Sequence, residues 1–145
     1  MNIIKEIKLS YSNNDLENIK ITDSNSAYKT LIDNWDIDTI QLQEEFKVLL
    51  LNRANIVLGI YPLSKGGVSG TMVDIKLLLA SAIKANASSI IVAHNHPSGN
   101  IKPSENDKRL TRKIKEGAKL LDVTLLDHII ITKERYYSFS DDGNL

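Results

Sequence analysis

The chain has 145 residues, enough for one hydrophobic core, which sets the expectation of one compact domain. Apolar residues make up 42% and charged residues 25%, a balance that excludes a disordered or fibrous chain. Eighteen basic residues offset eighteen acidic ones, so no overall positive field favours nucleic acid, and the absence of cysteine excludes disulfides, thiolate metal sites and cysteine nucleophiles.

Met1 to Ser10 mixes Lys5, Glu6 and Lys8 with isoleucines and holds no run long enough for a signal peptide or membrane span, so a cytoplasmic protein is expected. From Met1 to Thr22 the apolar residues alternate loosely, giving weak strand patterns around a turn at Ser12 to Asp15. Asp23 and Ser24 can cap a helix to about Trp35, because Ala27, Leu31 and Trp35 recur at four-residue spacing; Trp35 is expected in the core. Phe46 to Leu51 and Ile56 to Leu63 predict two strands joined by a turn at Asn52 to Asn55.

Lys65 to Gly70 is glycine-rich and leads to Thr71, the expected cap of a helix whose Val73, Leu77, Leu78, Leu79 and Ala80 cover much of its circumference, implying a helix buried against a sheet. Ile90, Ile91 and Val92 predict a buried strand over Ser89 to Ala93 that delivers His94. Pro97 to Asn100 turns into a helix starting near Ser104, with Leu110, Ile114, Ala118 and Leu121 on one side, and strands follow at Leu125 to Thr132 and Tyr136 to Phe139. This order predicts an α/β sandwich, three-layer-like, with a mixed central sheet flanked by helices.

The segment from Ala93 to Asp107, AHNHPSGNIKPSEND, concentrates the chemistry. In extended chain, His94 and His96 project to the same side, so both imidazoles can meet one ion. Zinc accepts histidine nitrogens and carboxylate oxygens, and a catalytic site keeps three protein ligands and one open position. Asp107, in the first turn of the following helix, would be the third ligand. Ser104 and Asp107 also have the spacing of a helix capping box, although such boxes prefer Glu or Gln at the last position.

A glutamate before an apolar strand, then His-x-His-Pro, then seven residues before Ser-x-x-Asp, resembles the JAMM motif of MPN-domain metalloproteases. The strings EFKVLLLN, AHNHPSG, PSxxD and LLDHIII resemble its RadC-like branch from about Gln41 to Phe139, roughly two thirds of the chain. The resemblance implies an MPN/JAB fold, cytidine-deaminase-like, over 41–145 with an N-terminal extension over 1–40 packed on it. It implies one zinc ion on His94, His96 and Asp107, with Glu45 as the base and Ser104 assisting. Between the neighbours Glu44 and Glu45, which face opposite sides of a strand, Glu45 is the expected one. RadC-like proteins often carry a helix-hairpin-helix region ahead of this domain; forty-odd residues are too few for it, so a DNA-repair role rests on the family name alone.

The function so implied is hydrolysis of peptide or isopeptide bonds by a metal-activated water, with Glu45 moving the proton and Ser104 donating to the oxyanion. The expected partner is a peptide or protein substrate; net charge does not support nucleic acid, and no membrane is involved. The cleft rims would come from Lys65 to Thr71 and Ser98 to Lys102, and His128 would be a structural histidine, not a fourth ligand. The competing expectation is a non-catalytic, metal-containing module that binds DNA or a replication or repair partner through Lys108, Arg112, Lys115 and Lys119. An HNH nuclease needs residues spread over a larger motif, a zinc deaminase needs cysteines, and no His-Glu-x-x-His is present.

Overall fold

The computed structural model describes residues 1–13, 18–66 and 72–145. Its elements are α1 (Ser24–Asp33), β1 (Glu45–Leu51), β2 (Val57–Lys65), α2 (Ile75–Lys84), β3 (Ser89–Asn95), α3 (Glu105–Leu120), β4 (Thr124–Ile131) and β5 (Tyr136–Ser138). The five strands form one mixed sheet in the order β2-β1-β3-β4-β5. β1 runs antiparallel to both β2 and β3, whereas β3 and β4 are parallel and joined by α3. A parallel pair needs such a crossover, and here it carries the chain from one end of β3 back to the start of β4.

Alternation along the strands splits the core in two. Leu49, Leu51, Ile91, Ala93, Ile129 and Ile131 face α1, which adds Ala27 and Leu31, while Trp35 and Ile40 close that layer. Val48, Leu50, Ile90, Val92 and Leu125 face the other way, against Leu78 and Ala82 of α2 and Ile114 and Ala118 of α3. The result is the expected α/β sandwich: one helix, the sheet, then two helices. Trp35 is buried, as its spacing predicts.

Several local expectations need correction. The loose alternation before Thr22 builds no strand among the described residues: Ile3, Ile4, Ile7 and Leu9 are exposed, and only Lys20 bridges to Ile56. An isolated alternating segment has no ladder to join, so its pattern alone does not make it a strand. The turn at Ser12 to Asp15 and the cap at Thr71 fall wholly or partly outside the described residues. α2 is capped by Asp74, whose side chain accepts from the Leu77 N–H. It packs against the sheet as expected, burying Leu78 and Ala82 along one stripe while Leu77 and Ile83 face solvent. Between β1 and β2, Asn52 accepts from the N–H groups of Ala54 and Ile56 while Asn55 takes a left-handed conformation (φ 61°), which closes the predicted turn. Among the described residues no helix is long and apolar enough to cross a membrane.

Candidate metal centre

β3 ends at the site. His94 is cross-strand partner to Phe46 and stacks near its ring (6.0 Å between centroids), which places its imidazole on the α2–α3 side of the sheet. His96 lies two residues on, at the mouth of the loop that leads to α3. Its Nδ1 sits 2.6 Å from the Asn100 carbonyl oxygen. A carbonyl only accepts, so that nitrogen carries the hydrogen, and the ring in its neutral form turns its Nε2 lone pair inward.

The third member comes from the first turn of α3. Ser104 and Asp107 form a complete capping box: the Ser104 hydroxyl oxygen accepts from the Asp107 N–H at 3.0 Å, and Asp107 Oδ2 accepts from the Ser104 N–H at 2.8 Å. The cap and ligand readings of Asp107 are therefore compatible. Its Oδ1 lies 3.3 Å from His94 Nε2, its Oδ2 lies 3.3 Å from His96 Nε2, and the two Nε2 atoms are 3.0 Å apart.

These separations test the fit to a metal. Tetrahedral zinc with bonds of about 2.0–2.1 Å separates its ligand atoms by about 3.3 Å, close to the spacing found here. His94, His96 and Asp107 are the group among the described residues whose donor atoms converge in this way, all within 4.8 Å of one another. One carboxylate and two imidazoles therefore suit a single divalent cation, and their chemistry does not by itself select zinc over other transition metals.

The electrostatics agree with the geometry. Burial would raise the Asp107 carboxyl, but the facing imidazoles of His94 and His96 outweigh it and hold the group well below the usual carboxylate range. Burial works against charge on His96, yet Asp107 and the Asn100 carbonyl outweigh that cost and raise it above its ordinary 6.5. Without a cation this is a proton-sharing pair, and a bound cation takes the place of that proton.

The two glutamates separate by strand parity. Glu45 is buried on the face opposite Phe46; its Oε1 lies 3.7 Å from Lys65 Nζ, and its backbone N–H donates to Asn95. Glu44 continues the ladder through its carbonyl, which accepts from Gly66 N–H, and shares the face of Phe46 and His94. Its half-buried carboxyl interacts electrostatically with His94, His96 and Asp107, and burial pushes its pKa above the ordinary 4.5. The expectation of Glu45 at the centre is thus corrected to Glu44, the side-chain direction being fixed by a cross-strand register that one strand's sequence does not display.

Two further residues belong to the site. Asn95, between the two histidines, points to the other face and is fully buried; its amide donates to the carbonyls of Ile40 (2.7 Å) and Gln43 (2.9 Å) and accepts from Glu45 N–H (2.7 Å). It ties the segment that carries Glu44 to the strand that carries His94. A polar residue forced inward by two outward neighbours was the available signal. His128 is also fully buried, with Nε2 at 2.8 Å from His94 Nδ1 and Nδ1 at 2.6 Å from Thr111 Oγ1. It is structural as expected, and burial pushes it well below its ordinary pKa. Beside His96 a cleft opens, lined by Ile40, Gln41, Pro97, Gly99 and Arg135. Gly99 supports the expected rim at Ser98 to Lys102; most of the other expected rim, residues 67–71, lies outside the described residues.

An α/β sandwich whose central strand presents two histidines to an aspartate at a helix start defines a domain with a candidate mononuclear metal site. The model of the RadC-like JAB domain matches residues 21–144, and the chain belongs to that family. Its relatives include UPF0758 proteins of Flavobacterium johnsoniae, 50% identical over 100 residues (69% of this chain, 44% of the relative), and of Porphyromonas gingivalis, 45% identical over 126 residues (86% and 54%). Another, from Clostridium botulinum, is 42% identical over 103 residues (71% and 45%). The chain spans about half the length of these curated relatives.

Proposed function

We propose that the protein is a zinc-dependent hydrolase of peptide or isopeptide bonds, with His94, His96 and Asp107 as ligands and Glu44 as the base. The observation that carries this reading is the convergence of three lone-pair donors at zinc-like spacing beside a half-buried carboxyl. When bound, zinc lowers the pKa of a coordinated water to about 7 and polarises a carbonyl oxygen.

The chain's own groups supply the rest. Glu44, its pKa raised by burial, suits a group that takes a proton from water and returns it to the departing amine. Asp107 and the loop from His96 to Asn100 hold the imidazoles inward. The Ser104 oxygen accepts from Asp107 N–H, so its hydroxyl hydrogen serves to donate to the oxyanion of a substrate carbonyl. The cleft beside His96 receives the chain that flanks the scissile bond.

The test uses the full chain. Zinc content is measured for wild type and His96→Ala, and turnover on a fluorogenic isopeptide-linked peptide library is compared for wild type, Glu44→Gln and Glu45→Gln. Wild type alone should carry stoichiometric zinc against His96→Ala. Glu44→Gln should keep zinc and lose turnover by about 10²–10⁴-fold, and Glu45→Gln should keep both. Equal zinc in wild type and His96→Ala overturns the metal site, and full turnover by Glu44→Gln overturns the base.

A further inference from the structure

His128 sits between the rings of Phe46 and Phe139, stacked on the latter at 4.7 Å and 10°, and touches polar atoms at both of its nitrogens. The hydrogens along this chain of contacts follow from one fixed end. The Thr111 hydroxyl lies 2.7 Å from the Asp107 carbonyl, which only accepts, so the single hydroxyl hydrogen points there. Thr111 Oγ1 must then accept from His128 Nδ1–H. A neutral imidazole carries one N–H, which leaves His128 Nε2 as an acceptor and makes His94 Nδ1 the donor to it. His94 in turn has its hydrogen on Nδ1 and a bare Nε2 facing Asp107 and His96.

We propose that Thr111 and His128 form a positioning relay that locks His94 in the tautomer able to bind a cation, and that ties the strand-borne ligand to the helix carrying Asp107. The relay starts on the main chain of one ligand and ends on the ring of another, so β3, β4 and α3 are held by a single line of hydrogen bonds. Histidine ligands usually donate their second N–H to a carboxylate, a carbonyl or water. Here the acceptor is an uncharged ring, which orients His94 without adding negative charge to the centre.

The inference rests on the metal-site reading, and two separate measurements distinguish their failures. The first is the His94 tautomer in metal-free full-length protein, read from long-range ¹⁵N–¹H correlations at alkaline pH. Wild type should show the Nδ1–H form, and Thr111→Val, which keeps the branched shape without the hydroxyl, should lose that preference. The second is zinc affinity by chelator competition. Thr111→Val and His128→Ala should bind about 10–100-fold more weakly than wild type. Thr111→Ser, which restores the hydroxyl, and His128→Gln, which restores an acceptor for His94 Nδ1, should recover most of the loss. An Nε2–H form of His94 in wild type overturns the relay, as does a folded Thr111→Val with wild-type affinity. Absence of zinc binding by wild type overturns the metal-site reading while the tautomer measurement still decides the relay.

Discussion

Asp107 does three jobs, two with its side chain and one with its main chain. One oxygen caps α3 through Ser104 N–H, both oxygens face imidazole nitrogens, and its main-chain carbonyl receives the Thr111 hydroxyl. In metal-free protein its pairing with His96 gives a stability contribution with a defined pH window. The Asp107 part is present above the ordinary 3.8 and is lost as pH falls towards its depressed value; the His96 part is full below 6.5 and is lost as pH rises through its raised value. The gap in thermal midpoint between chelated wild type and Asp107→Asn should therefore be widest in mildly acidic solution and narrow above neutrality. A gap that does not change with pH would show that the pair does not form. Residue identity made this trio legible, since two histidines at strand spacing and a helix-start acid point to one ion. Glu44 was not legible in the same way: alternation says that neighbours diverge, and only the pairing of Phe46 with His94 says which one turns inward.

At the level of elements, α3 begins at the site, so its N-cap is also part of the ligand geometry. Ser104→Ala removes the acceptor for Asp107 N–H and should cost about 1 kcal/mol in urea unfolding of the metal-free protein. An unchanged midpoint would mean that the cap does not stabilise the helix. The strands and this helix were readable because branched apolar runs and Ser-x-x-Asp are local signals. α2 was readable as a helix packed against a sheet, but composition alone does not separate the exposed Leu77 and Ile83 from the buried Leu78 and Ala82, which only placement against the sheet distinguishes. Similarly, Ile3 to Leu9 has strand-like residues that stay exposed and pair with no strand among the described residues.

For the whole molecule, the sheet order sets what meets what. β1 lies between β2 and β3, so the glutamate ahead of β1 arrives beside the histidines at the end of β3, a juxtaposition of segments fifty residues apart that no local pattern displays. The outer face of α3 carries exposed Arg112, Lys115 and Lys119, but the chain's charges cancel. Fluorescence anisotropy with duplex DNA should accordingly show no binding at moderate salt, for wild type and Lys115→Glu alike. Tight, steeply salt-dependent binding that Lys115→Glu weakens would instead favour the nucleic-acid module.

The stacking of Phe139 on His128 reaches beyond the core. Phe139 follows the last strand and is held from behind by Asn144, whose N–H donates to its carbonyl. A chain cut after Ser138 would retain every proposed ligand yet open the His128 imidazole to bulk solvent. The turn from Phe139 to Asn144 thus shields His128, and through it the contact with His94, from solvent.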